Sequence, residues 1–405
     1  MSLLSSIFAN KIIVKMDWIK PNTITGPTAE GSKYFSRAEK ENKLWRKILT
    51  NHHVLFLAPR RVGKSSIVIN MAKKPKDGYA CLYENIATEG SLQDFYKRLY
   101  QMTIRSLSTY EKSKNKVFKW FKSIKVTGVS PDGTLSLDSK VLDYRELFLE
   151  LLNSIPRGEV KVVLFLDEFP DAVLKVFQNH GTEEAEKLLA DIRAFDNEHF
   201  KRVFMMVLLG SVGLTHIIKQ ITGRTDKVNN LHKEYLQALS TEEVGEFISF
   251  LTENASMQIN ASSTAHIIVK TGHLPYYIQL IIEECDEILE ENNTPNLTHE
   301  VIDRAHRQLI KKNEHFSDWD SRLSKYFPSK YTFLLAVVTK CAHNGYISIQ
   351  EIANIAKKYK NPTAWKADLD DILIADGYLY EKDETIYEFN SPLLRDWWKN
   401  RHPNL

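Results

Sequence analysis

The stretch Leu57-Ala58-Pro59-Arg60-Arg61-Val62-Gly63-Lys64-Ser65-Ser66 ends in Gly-Lys-Ser, the residue types that close a phosphate-binding loop of the form G-x-x-x-x-G-K-[ST]. In such a loop backbone N–H groups wrap phosphates at the start of a helix. Its lysine neutralises the β- and γ-phosphates, and its hydroxyl holds magnesium. Phosphate binding therefore falls to Pro59, Arg60, Arg61, Val62, Gly63, Lys64, Ser65 and Ser66, with Lys64 acting in catalysis and Ser65 on the metal. The first glycine of the pattern is Ala58 here, at the end of a strand, where alanine serves if the backbone angles are ordinary. A chance Gly-Lys-Ser on a basic turn has the same appearance, and a second constellation decides between them. Residues 162–168 read VVLFLDE, an apolar run ending in two carboxylates, which is the Walker B pattern. Asp167 would bind magnesium through water, and Glu168 would orient and deprotonate the attacking water. Two acids merely capping a helix that begins near Pro170 would not explain both motifs occurring in this order.

Those side chains need a strand before the loop and a helix after it. Residues 54–58 (VLFLA) suit a buried parallel strand, and 63–73 read as a helix. Further buried strands are expected at 79–85, 160–168 and 202–211, alternating with helices at 38–50 and 91–108. The pattern predicts an α/β fold: a P-loop NTPase core over 38–238 with a doubly wound parallel sheet, preceded by a polar arm at 1–37. From residue 239 strand signals stop, and helical periods at 240–254, 262–271, 275–292 and 298–313 predict a helical lid domain over 239–315. Residues 316–405 predict a winged-helix domain. Ser348 and Glu351 form a capping box that opens a helix at 349–359, a second helix covers 363–376, and 378–389 alternates as a hairpin turning at 382–384.

The runs FSRAEKENKLWRKILTNHHVLFLAPRRVGKSSIV, VVLFLDEFPD, VLLGSVGL, TGHLPYYIQLI and FNSPLLRDWW occur in this order along the chain. They resemble the archaeal-type ATPase family, a branch of the P-loop NTPases close to the AAA+ and STAND ATPases, and the resemblance covers roughly residues 34–401. The resemblance implies ATP with Mg2+ and an ATPase whose hydrolysis drives or gates movement of the lid and winged helix. It also implies further site residues. Phe35 and Arg37 would lie near the adenine, with Ser36 where the family usually has glycine. Ser211 would meet the γ-phosphate or its water. Pro275 would pack on the base and tie the lid to nucleotide state. Arg224, in ITGR, would reach a γ-phosphate in cis or from a neighbouring subunit of an oligomer, or else be a plain surface arginine. Two other readings stand beside this one: a slow-turnover nucleotide-held switch or scaffold, and a DNA-handling AAA+-like motor or loader.

The 405 residues are 43% hydrophobic and 26% charged, which suits two or three ordinary globular domains. A net charge of +3 provides no footprint for nucleic acid or a membrane surface. Residues 111–125 interleave six lysines with Phe118, Trp120 and Phe121. That could grip single-stranded nucleic acid, but a helix with its apolar side inward, leading to a hairpin at 124–137, is the preferred reading. Residues 316–405 carry twelve Lys and Arg against twelve Asp and Glu, so the winged helix is expected to pack on the core or bind a protein partner rather than nucleic acid. Cys81, Cys285 and Cys341 fit buried thiols of a reducing compartment. No apolar run approaches the ~20 residues of a membrane span. Residues 1–15 lack the basic start of a secretory signal, so a cytoplasmic protein is expected, with Met16 a second candidate start. No H-E-x-x-H, G-x-S-x-G or G-x-G-x-x-G occurs.

Overall fold

The computed structural model describes residues 17–114, 143–210, 214–223, 229–360 and 363–403. Apolar runs too hydrophobic to face water on either side build its central sheet: β1 (Val54–Leu57), β2 (Tyr79–Asn85), β3 (Lys161–Asp167) and β4 (Phe204–Gly210). With β5 (His232–Tyr235) they pair in parallel in the order β2-β3-β4-β1-β5. Because β1 and β3 are both neighbours of β4, the segments that follow them leave the same edge of the sheet, one strand apart. The helix Lys64–Lys73 rises directly from that edge, and Leu92–Lys114 and Phe169–Ala194 pack against the strands. β5 was not expected. Its sequence is HKEY, and it is an edge strand with one buried side chain, Glu234, which pairs with Lys43 at 2.6 Å.

Four helices form the lid: Thr241–Thr252, Ala261–Thr271, Pro275–Glu291 and His299–Leu309. The first is opened by a reciprocal capping box between Ser240 and Glu243. The chain before the core runs along this lid as a strap. Asn22 N–H donates to the Leu251 carbonyl at 2.6 Å, Ile24 N–H to Gln279 Oε1 at 2.9 Å, and Trp18 Nε1 to Asp286 at 2.9 Å. Polar composition had suggested only an irregular arm; its partners lie more than 200 residues away and leave no local signature.

Beyond the lid come the helices Ser317–Tyr326, Tyr331–Asn344 and Ile349–Lys358, the last capped by Ser348 and Glu351. The second winged-helix helix is shorter than its periodicity suggests: Trp365–Asp368 passes into a π-helical turn, Leu369–Ile374. A three-stranded antiparallel sheet follows, β6 (Ile347–Ser348), β8 (Ile386–Phe389) and β7 (Leu379–Asp383) in that order, and Pro392–Arg401 closes the chain. The hairpin turns at 384–385, two residues later than the alternation implies, because Asp383 accepts the N–H groups of Thr385 and Ile386. The expected hairpin at 124–137, and most of the lysine-rich run, lie outside the described residues. Among the described residues no helix is long and apolar enough to cross a membrane.

The winged helix is docked on both other parts. Phe316 stacks between Tyr277 and Trp397, each 5.5 Å away, and Ser391 Oγ donates to the Thr271 carbonyl at 2.7 Å. At Gly377 the backbone is left-handed (φ 85°), and a Cβ there would lie 2.7 Å from the Pro59 side chain. Gly78 has a similar φ of 82° with open space around it. Gly78→Ala should cost about 1–2 kcal/mol of backbone strain. Gly377→Ala should cost about 1–3 kcal/mol more, since it also drives a methyl into the phosphate loop. Denaturant unfolding of the two variants measures the difference, and equal losses would refute the contact.

Candidate functional site

The loop after β1 resolves the question of the missing glycine. Ala58 is buried, outside the left-handed region, and its N–H donates to the Gly210 carbonyl at 3.3 Å. The left-handed positions are Arg61 (φ 68°) and Gly63 (φ 89°), so alanine at 58 strains nothing while Gly63 is needed. The helix that carries Lys64 and Ser65 begins at Lys64 itself.

Asp167, at the end of β3, is the centre of the site. Its side chain is 4% exposed, and Lys64 Nζ donates to Oδ1 at 2.6 Å. Ser65 Oγ donates to Oδ2 at 2.6 Å, Tyr83 Oη to the same oxygen at 2.9 Å, and the Glu168 N–H to Oδ1 at 2.9 Å. Burial alone would raise this carboxyl, but Lys64, Ser65 and Tyr83 outweigh it and hold it below the usual range. Glu168 has the opposite fate. Burial, opposed by Lys64 but helped by Asp167 and Asp171, raises its carboxyl above the usual carboxylate range. Its backbone is left-handed (φ 56°), a conformation that costs a non-glycine residue of order 1–3 kcal/mol and turns the side chain off the strand's end. Two adjacent acids are thus pushed apart in proton affinity.

A cleft of about 270 Å³ opens above these residues, bounded by the phosphate loop, the strap, the lid and the helix Ser317–Tyr326. Pro59 through Ser66 line one wall together with Glu168. Ile24, Phe35, Phe247 and Pro275 form an apolar end, where Phe35 packs on Phe247 at 5.2 Å between ring centroids. The structure therefore brings Phe35, Pro275, Lys64, Ser65 and Glu168 to one cavity, with Asp167 directly beneath. Ser211 and Arg224 lie outside the described residues.

Arg37 reaches the cleft wall with Phe35, and its guanidinium is engaged by Glu243 at 3.1 and 3.0 Å and by the Gln237 carbonyl at 3.0 Å. With those donors spent, it clamps the core to the lid helix. Three contributors carried no sequence motif. Tyr83 sits on β2 opposite Phe165, Tyr276 lies under the Arg61 guanidinium at 4.0 Å, and Arg322 enters from the C-terminal region. Only the β2 strand itself, YACLYEN, offered a hint, since it runs beside the strand that ends in Asp167.

The sheet order, a phosphate loop after β1, paired acids after β3, a helical lid and a C-terminal winged helix together define the fold of the AAA+ P-loop ATPases. Among solved structures the chain is similar to the Walker-type ATPase PABY2304 of Pyrococcus abyssi, with a TM-score of 0.61 and 17% identity over 92% of this chain and 98% of that one. It is also similar to the ORC2 protein of Aeropyrum pernix in its ADPNP–ADP complexes, with a TM-score of 0.53 and 12% identity over 92% and 96% of the two chains. At these identities the likeness is one of fold. No protein-family model matches the sequence, and no curated protein matches it.

The Lys64–Asp167 pair gives a stability test that needs no ligand. Because the Asp167 carboxyl is held low, its pairing stabilises the fold above the unfolded carboxyl pKa and is lost as pH falls through the folded value. Lys64→Ala leaves the charge buried without its cation, with an expected loss on the order of 3 kcal/mol near pH 7. Burial then raises that carboxyl in the variant, so protonation relieves the penalty and the gap narrows toward about pH 5. Denaturant unfolding at both pH values checks this; a gap that widens on acidification would contradict it.

Proposed function

We propose that this chain binds ATP with magnesium in the cleft and hydrolyses it, coupling occupancy to the lid and winged helix. The observation that carries the reading is the charge of the cleft wall. Lys33, Arg60, Arg61, Lys64 and Arg322 line it, and among the described lining residues Glu168 is the single carboxylate, an excess that suits a polyphosphate. The preference for adenine rests on the family resemblance; the apolar end between Phe35 and Pro275 would receive the base.

The residues fit magnesium. Ser65 Oγ and Asp167 Oδ2, 2.6 Å apart, are a hydroxyl and a carboxylate, hard oxygen donors of the kind this ion takes. Held by these two residues, the ion would supply positive charge that offsets negative charge developing on the phosphates. Lys64 would exchange Asp167 for phosphate oxygens, and Tyr83 would keep the carboxylate oriented as it does so. Glu168, with its raised proton affinity, would accept a proton from the attacking water. Pro275 and the strap would close on the base from the lid side, so an occupant would touch core, lid and C-terminal region together.

Duplex DNA is not favoured as a partner of the winged helix. Its charges balance, Asp368 at the end of the second helix and Asp376 in the turn after it are buried, and the π-helical turn packs beside the core helix Leu214–Thr222. A protein partner and an oligomer with Arg224 acting between subunits are compatible with the same fold.

Glu168→Gln should bind ATP as the native protein does and hydrolyse it roughly 10²-fold more slowly or worse. Isothermal titration and steady-state phosphate release measure the two quantities. Absence of nucleotide binding in the native protein would sink the reading. Binding with equal, very slow turnover in both proteins would replace it by the nucleotide-held switch.

A further inference from the structure

The helix Ser317–Tyr326 belongs to neither the phosphate loop nor the lid, yet it presents two charged side chains to the phosphate loop. Asp318 Oδ2 lies 3.3 Å from Arg60 Nη2 and 3.9 Å from Arg61 Nη2. One turn later Arg322 lines the cleft, its guanidinium 4.6 Å from the Tyr326 ring centroid and its buried Nε without a hydrogen-bond partner. Burial and the charges of Arg322 and Arg61 together depress the pKa of Arg60. Three guanidiniums therefore crowd one region in which Asp318, 58% exposed, is a weak counter-ion. Such a cluster is unfavourable without a stronger anion among its members.

The position of Arg322 along the cleft says which anion. Arg322 lies over the ring of Tyr326, whose Oη donates to Asp171, three residues beyond Glu168, so Arg322 stands on the Glu168 side of the cleft. A polyphosphate laid from the apolar end past Lys64 would finish there. We infer that Arg322 binds the terminal phosphate of a nucleoside triphosphate, which ties the helix Ser317–Tyr326 to the triphosphate state and releases it when that phosphate is lost. This rests on the cleft being a nucleotide site. The competing role is purely structural, as partner to the Asp376 charge that also acts on Arg322.

The test uses the full chain with Arg322→Ala and Arg322→Lys, titrated with a non-hydrolysable ATP analogue and with ADP, alongside melting temperatures. Arg322→Ala should weaken the triphosphate roughly tenfold or more, the scale of a charge-assisted contact, and ADP by no more than about twofold. Arg322→Lys keeps a charge but loses the planar fork, and should fall between; it carries the test if the alanine variant does not fold. Hydrogen exchange in 317–326 should slow with the analogue in the native protein and not in Arg322→Ala. An unchanged analogue-to-ADP ratio, or equal loss of both, would overturn this inference alone. A native protein that binds neither ligand would overturn it together with the nucleotide site.

Discussion

A carboxylate buried to 4% exposure at the end of β3 is tolerable only because every direction around it supplies a donor. Lys64 and Ser65 come from the phosphate loop's helix, Tyr83 from the neighbouring strand, and the last donor from the backbone one residue on. Leaving such a charge unpaired would cost several kcal/mol, comparable with a domain's whole stability. The register of β1, β2 and β3 and the pitch of the helix Lys64–Lys73 are therefore bound to one side chain. An anion that engaged Lys64 would compete with Asp167 for it, so its affinity would be the difference between two strong contacts rather than the full strength of one.

Around that centre the fold separates tasks by distance from the sheet. The sheet edge holds the acids and the lysine, whose positions must be fixed. The cations less tightly held, Arg60, Arg61 and Arg322, stand on loops and on a helix from the C-terminal region, where they can change partners. Arg37, although beside them, is spent on Glu243 and fixes the angle between core and lid.

What was legible in the sequence follows the same division. β1 to β4 are continuous apolar runs, and the loop and acid pair that end them are local patterns, so the sheet and the floor of the site could be read directly. The winged helix declared itself through the Ser348–Glu351 cap and the alternating hairpin. β5 could not be read, because an edge strand paired only with β1 needs backbone hydrogen bonds rather than apolar side chains. Arg322 and Tyr276 reach the cleft only after the C-terminal region and lid have docked, and no spacing within their own helices records that. Arg37 was placed by analogy at the base; its partner Glu243 is 206 residues away, and the pairing was invisible beforehand.

The strap has a consequence for what the cleft can measure. Residues 18–25 are fastened to lid helices, and Ile24 lines the cleft with Pro275 and Phe247 of the lid, while the phosphate loop and Glu168 belong to the core. Under the proposed coupling, a lid that moved would carry the strap with it, and the two ends of the cleft would part as two jaws. A free base would fill one jaw and inorganic phosphate the other, and neither would hold them together. The cleft would then be a gauge of length: only a molecule that spans it from end to end would keep the jaws shut.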